Sequence, residues 1–401
     1  MAAPERLALD LGAPPEVPED AVAAATALLR GGWLHRYGET LGDASDASLL
    51  EAEFAALVGA RYCVGVNSCG SAMFLALLGS GVRPGDRVLM NGFTLSPVPG
   101  AIVHAGAEPV IVEVTPDLVI DLDDLARKAA ATGARHLLLS HMRGHIADMD
   151  RLMALCDGLG LAVIEDCAHT MGARWAGRPT GRFGRAGCFS LQSYKHVNAG
   201  EGGLIVTDDE DLAARAILAS GSYMLYGQHR ARPSEEAFAR WKDLTPNFSL
   251  RLSNLAAALA RPQLRLLAER ARVWSDRHAR LAALLGAIPG IRLPHRPQQE
   301  EHVQSSIQFA VPDLGEEAFH RFLGGCRARG VFLKWFGGAA AEGYTSTPRH
   351  WHYLPDARTP PRTASVLAQL CDMRIPLSLP AEACEAIAHI VAEELEAARR
   401  P

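Results

Sequence analysis

No stretch of this chain approaches the ~18 consecutive apolar residues that a membrane-spanning helix needs. Residues 1–12 hold no basic segment followed by an apolar run, so no secretory signal is read and a cytoplasmic protein is expected. Charge of neither sign is in excess. Forty basic residues face 45 acidic ones, a net charge of −5, which disfavours nucleic acid or an anionic membrane as partner. Basic residues do gather between Arg261 and Arg280, but with Leu and Ala at helical spacing, as on a solvated helix face. The eight cysteines, at 63, 69, 156, 167, 188, 326, 371 and 384, form no C-x-x-C pair, so neither a zinc site nor a redox motif is indicated. Most lie in apolar runs, where a free thiol packs as a small core residue. The G-x-S-x-G elbow and the G-x-x-x-x-G-K-[ST] loop are missing, which disfavours hydrolase and P-loop chemistry. His141-Met142-Arg143-Gly144-His145 lacks the glutamate of H-E-x-x-H, and no metal is expected there or at His169. No internal repeat is evident.

What is present is the composition of an ordinary globular chain of 401 residues, 48% hydrophobic and 21% charged, long enough for two domains. Short apolar runs alternate with helical patterns through the first ~250 residues, the signature of βαβ units. Strands are expected at 62–66, 86–90, 109–113, 136–140, 161–166, 187–191 and 203–207, with a helix at 71–78. Their continuous apolar character suggests a mostly parallel central sheet covered on both faces. From about Ser253 a long helical pattern runs to Leu285, with Pro262 marking a kink or break. Strands at 305–311 and 330–334 and a closing helix at 382–398 follow. The fold class is therefore α/β, with a large domain over 1–254 and a smaller α+β domain over 255–401.

In open α/β sheets ligands sit beyond the carboxyl ends of the strands. Four places there carry polar or aromatic residues that a plain core does not need. Asn67-Ser68-Cys69-Gly70-Ser71 joins a strand to a helix, where small residues and free amides can bind an anion such as phosphate. A capped turn reads the same way. Asp166 ends a strand, with Glu165 facing the opposite side. A carboxylate at a pocket base can keep a pyridine nitrogen protonated, making the ring an electron sink. An N-cap is the equal alternative. Lys195 stands between an apolar strand and the turn Gly200-Glu201-Gly202-Gly203. Partly desolvated there, it would have a lowered pKa and could attack a carbonyl, although most lysines simply sit on surface loops. Phe93 follows another strand and could stack on a flat ring or fill a core.

Together, in this order and spacing, these segments resemble the DegT/DnrJ/EryC1/StrS family of fold-type I pyridoxal-phosphate (PLP) aminotransferases. The matching segments are Val66 to Ala72, Pro84-Gly85-Asp86 with Phe93-Thr94, Glu165-Asp166-Cys167-Ala168-His169, Phe189-Ser190 with Lys195 five residues on, and Gly200 to Gly203. The resemblance implies that Lys195 holds the cofactor as a Schiff base and moves the proton. Asp166 would pair with the pyridinium nitrogen, His169 would lie near the phenolic oxygen, and Phe93 would stack on the ring. The amides of Gly70 and Ser71 and the hydroxyl of Ser190 would hold the phosphate. It also implies a homodimer with shared active sites, an amino-acid donor such as glutamate or glutamine, and a keto-sugar, sugar-nucleotide or cyclitol acceptor. Three departures stand out. In the segment that would reach the partner subunit's cofactor phosphate, Ser249 stands where the family has Asn, with Asn247 two residues earlier as the alternative. The other two concern the substrate side. Arg143 replaces an aromatic or apolar residue. Residues 32–38 are unusually basic and aromatic. Specificity is expected in loops near 33–38, 141–146, 223–232 and 334–353. Another reaction type on the same cofactor, such as dehydration, decarboxylation, epimerisation or carbon–carbon bond formation, is the alternative. A non-catalytic role would require degenerate cofactor residues.

Overall fold

The computed structural model describes residues 6–37, 44–354 and 359–400. Gly38, at the end of one expected specificity loop, lies outside them. Strands follow in chain order as β1 (Tyr62–Val66), β2 (Arg87–Asn91), β3 (Glu108–Val112), β4 (His136–Ser140), β5 (Ala162–Asp166), β6 (Arg174–Trp175), β7 (Arg178–Pro179), β8 (Ala186–Ser190), β9 (Gly203–Thr207), β10 (Glu300–Glu301), β11 (Ser306–Ala310), β12 (Lys334–Trp335) and β13 (Leu370–Arg374).

Seven of them form the main sheet in the order β1-β9-β8-β5-β4-β2-β3. Pairs from β3 through β2, β4 and β5 to β8 are parallel, and β9 runs antiparallel to both β8 and β1. This direction pattern brings the carboxyl ends of β1, β2, β4, β5 and β8 and the start of β9 to one edge. The residues at that edge are Val66, Asn91, Ser140, Asp166, Ser190 and Gly203. Gly203 is required there: a Cβ on it would lie 2.4 Å from the carbonyl oxygen of Ser68.

The sheet is covered on both faces, so β1, β4, β8 and β9 are buried along their whole length, as the apolar runs imply. The helix after β1 spans Cys69–Gly79, starting two residues before the expected position, because the Ser68 hydroxyl accepts the Ser71 amide and caps it. Pro262 lies in the helix Asn254–Leu264, which ends two residues later; a second helix, Leu267–Gly286, follows. The first packs against the helices Glu19–Gly31 and Asp46–Val58, the second against Ala383–Arg399.

A second sheet has the order β11-β13-β12, all antiparallel. The strand expected at 330–334 is confined to Lys334–Trp335, since Gly330 takes a left-handed φ of +86° in the turn that ends the preceding helix. The two sheets share one core: Leu89, Leu137 and Val163 cluster with Trp274, Phe309, Phe322 and Met373. The carboxyl edge of the main sheet thus faces the residues that end β13. No helix among the described residues is long and apolar enough to cross a membrane.

Candidate active site

At that edge lies a cavity of about 320 Å³ whose wall includes Gly70, Arg143, Asp166, His169, Ser190, Lys195 and Arg374. Two larger grooves, of 880 and 870 Å³, contain neither Lys195 nor Asp166; the second adjoins the cavity at Gly343.

Lys195 reaches the cavity from the turn after β8. Its amide donates to the Gln192 carbonyl, and the loop closes through Ser193 on Gly200 and Ala199 on Leu191. Burial lowers its pKa from 10.5 to about 7, and the nearby Arg143 guanidinium pushes the same way. The amine lies 3.0 Å from His169 Nε2. Burial, then the charge of Lys195, holds His169 well below the usual histidine range, so its ring is neutral at pH 7. A lysine that is partly unprotonated at neutral pH is a competent nucleophile toward a carbonyl.

Asp166 is held from three directions. The Ser140 hydroxyl donates to its Oδ2 at 2.7 Å, the Ala168 amide donates to Oδ1 at 3.1 Å, and the Cys69 thiol lies 3.9 Å from Oδ1. Ser140 is fixed in turn: its amide donates to Asn91 Oδ1, its carbonyl accepts from Asn91 Nδ2, and Thr94 donates to its hydroxyl. Sequence reading missed Asn91, Thr94 and Ser140. Their signal was available, as three polar residues at or just beyond the carboxyl ends of β2 and β4.

Glu165 points the other way, as strand alternation requires. Its two oxygens accept from His141 Nε2 and the amides of Gly181, Phe183 and Gly184, which pins the loop before β8. His141, Glu165 and Cys167 form the one cluster of metal-ligand type among the described residues. Its carboxylate is already committed to these four donors, and burial pushes the Cys167 thiol up.

Two expected residues lie elsewhere. Phe93 is in the core, 5.2 Å edge-to-face from Phe336 and packed with Val114, Leu118 and Met142. The Asn91 side chain donates to the Phe93 carbonyl and folds the turn so that Leu95 meets the cavity instead. Leu95 gives an apolar face but no aromatic ring. Ser71 is also off the wall. Its amide is used by Ser68 and its hydroxyl donates to Asn67 Oδ1. Cys69 and Gly70, whose first-turn amides have no intrahelical acceptor, line the cavity with Ser190 and Gln192.

Of the expected specificity loops, Tyr344 and Ser346 reach the cavity, while Trp351 is buried in the core under the main sheet. Asn247 Oδ1 accepts the Ser249 amide at 2.9 Å, and Ser249 takes a left-handed φ of +57°.

A near-neutral lysine, a fixed strand-end acid and a helix N-terminus around one cavity are the donor set that pyridoxal phosphate fits: an amine for its aldehyde, an acid for its ring nitrogen and amides for its phosphate. Fold and site define a PLP-dependent aminotransferase. The model of the DegT/DnrJ/EryC1/StrS aminotransferase family matches residues 15–327, and the chain belongs to that family. The spore coat polysaccharide biosynthesis protein SpsC of Bacillus subtilis (strain 168) is 32% identical over 313 residues, 77% of this chain and 74% of that protein. Among solved structures, 3-amino-5-hydroxybenzoic acid synthase superposes with a TM-score of 0.82 at 26% identity, covering 98% of this chain and all of that one. DesV of S. venezuelae superposes with a TM-score of 0.77 at 29% identity, covering 96% of this chain and 100% of that one.

Proposed function

We propose that this aminotransferase moves an amino group from glutamate or glutamine to a keto group on a sugar or cyclitol in a biosynthetic pathway, with Lys195 as the catalytic base and cofactor anchor. The observation that carries the reading is the Lys195 amine, with a pKa near 7, sharing one small cavity with Asp166 and His169. When bound, PLP supplies an electron sink that makes a proton next to the substrate nitrogen removable. Asp166, steadied by Ser140, would keep the ring nitrogen protonated. Lys195 would hold the cofactor and would take and return the substrate proton. His169, neutral and beside Lys195, would lie near the phenolic oxygen. The amides of Cys69 and Gly70 and the hydroxyl of Ser190 would hold the phosphate, with Leu95 as an apolar residue on the cavity wall.

The acceptor class is supported by the names of similar proteins, one a polysaccharide biosynthesis protein and one the synthase of an amino-substituted ring acid. A homodimer is supported by the exposed Tyr223, Met224, Leu225 and Phe248, an apolar surface that a second subunit would cover. The test is the absorbance of the purified, PLP-loaded protein. Glutamate or glutamine should shift the band of the lysine-bound cofactor, and a keto sugar should restore it. An unshifted band with every common amino donor would overturn the reading.

A further inference from the structure

Behind the cavity, three cations converge on one acid. Arg143 Nη2 lies 2.7 Å from Asp372 Oδ2, and Lys334 Nζ lies 3.7 Å from the same oxygen. Arg374, two residues after Asp372 on β13, has its guanidinium 4.1 Å above the Tyr194 ring. Asp372 also accepts from Gln308 at 2.7 Å through its other oxygen. The Arg143–Asp372 contact is close but poorly directed, so Nε and Nη2 of Arg143 and Nζ of Lys334 make no hydrogen bond although all are buried. Arg143 is only 5% exposed and holds a left-handed φ of +55°, a conformation that costs a non-glycine residue free energy. The crowding has electrostatic consequences. After burial, Arg143 is the next influence lowering Arg374, and it also lowers Lys334, whose pKa falls to about 8 despite Asp372.

We propose that Arg143 and Arg374 form a carboxylate-recognition site that selects an acceptor bearing an acid group on the same small molecule as its ketone. This deepens the aminotransferase reading above and rests on it. Both arginines line the cavity that holds Lys195, so the anion they bind lies close to the reacting carbon. Beside its ion pair with Asp372, Arg143 keeps buried N–H groups without a hydrogen-bond acceptor, and such donors next to the Arg374 guanidinium favour a planar carboxylate taken by a fork of N–H groups. The phosphate of the cofactor is provided for separately, at the amides of Cys69 and Gly70.

The test is calorimetric binding to the PLP-loaded enzyme of quinate, a polyhydroxylated ring carboxylate without a ketone, against its uncharged carboxamide. The wild type should bind the acid at least about tenfold more tightly, the scale of one charge-assisted contact. R374Q and R143M should bring the two within about twofold, and R143K should restore part of the preference. R374Q leaves the Arg143–Asp372 pair in place, so it keeps the test readable should R143M fail to fold. Absent or equal binding of the two probes by the wild type, or a preference retained in R374Q, overturns the proposal. So does a loss confined to glutamate, which would assign the arginines to the donor. The cofactor's absorbance response to glutamate or glutamine reports separately on the aminotransferase reading.

Discussion

Two clusters of buried charge sit in this molecule and are built in opposite ways. In the first, Arg36 donates through two nitrogens to both oxygens of Glu51, at 2.6 and 2.9 Å. His229 Nδ1 lies 2.8 Å from Glu51, Tyr37 bonds the other ring nitrogen at 2.9 Å, and the Gly65 amide donates to Glu51 at 2.7 Å. Every member is buried and, apart from Arg36 Nε, every side-chain polar atom has a partner. The second cluster, around Lys195, Arg143 and Arg374, has cations in excess and donors without acceptors. The closed cluster fastens residues 33–37 and the 223–232 loop to the helix Asp46–Val58. The open one leaves free energy to be recovered when a ligand arrives. Satisfied buried charge holds a fold, and unsatisfied buried charge marks a site.

The contrast can be broken from either side. The largest effect is expected from Lys195→Ala, which should lower amine transfer by at least about 10³-fold, the scale for loss of a positioned base and nucleophile. Removing a desolvated cation should not lower the melting temperature of the cofactor-free protein; a drop of many degrees in a thermal scan would make Lys195 structural instead.

Glu51→Gln should do the reverse. Stripping the anion from a buried ion pair costs about 3–5 kcal/mol, read from denaturant titration, while the cofactor's absorbance in the folded fraction stays unchanged. Arg36 and His229 hold the Glu51 carboxyl far below its ordinary 4.5, against the cost of burial. A carboxylate depressed in the folded state contributes its full stability above the unfolded value and loses it as pH falls. The stability of the wild type relative to this variant should therefore be constant above pH 4.5 and shrink only in stronger acid.

A subtler measurement sharpens the comparison at the open cluster. The neutral amine of Lys195 is the reactive form, and its fraction rises with pH through about 7 rather than near 10.5. Capture of PLP by the cofactor-stripped protein, followed by absorbance, should accelerate through neutrality and level off about one unit above. A rate still climbing beyond pH 9 would mean that Lys195 is not desolvated.

The sequence placed the main-sheet strands to within about a residue, because each is a short apolar run bounded by turn residues and buried on both faces. It also singled out Lys195, Asp166, His169, Ser190 and Gly70, whose positions after successive strands put them at one edge once the sheet is parallel. Phe93 lies in the core while Leu95, two positions on, lines the cavity, in a turn where the Asn91 side chain donates to the Phe93 carbonyl, a contact that periodicity does not reveal. Arg143 was noticed only as a departure. Its partners Lys334, Asp372 and Arg374 belong to a different sheet some 190 to 230 residues away, and Glu51 meets His229 across 178 residues.

The sequence by itself thus determined the class of chemistry, because a cofactor that meets the ends of consecutive parallel strands is read by residues in fixed local motifs. Only the tertiary structure decided which charges are neutralised and which are left open. Neutralisation depends on distances between segments remote in the chain, and local pattern carries no information about those.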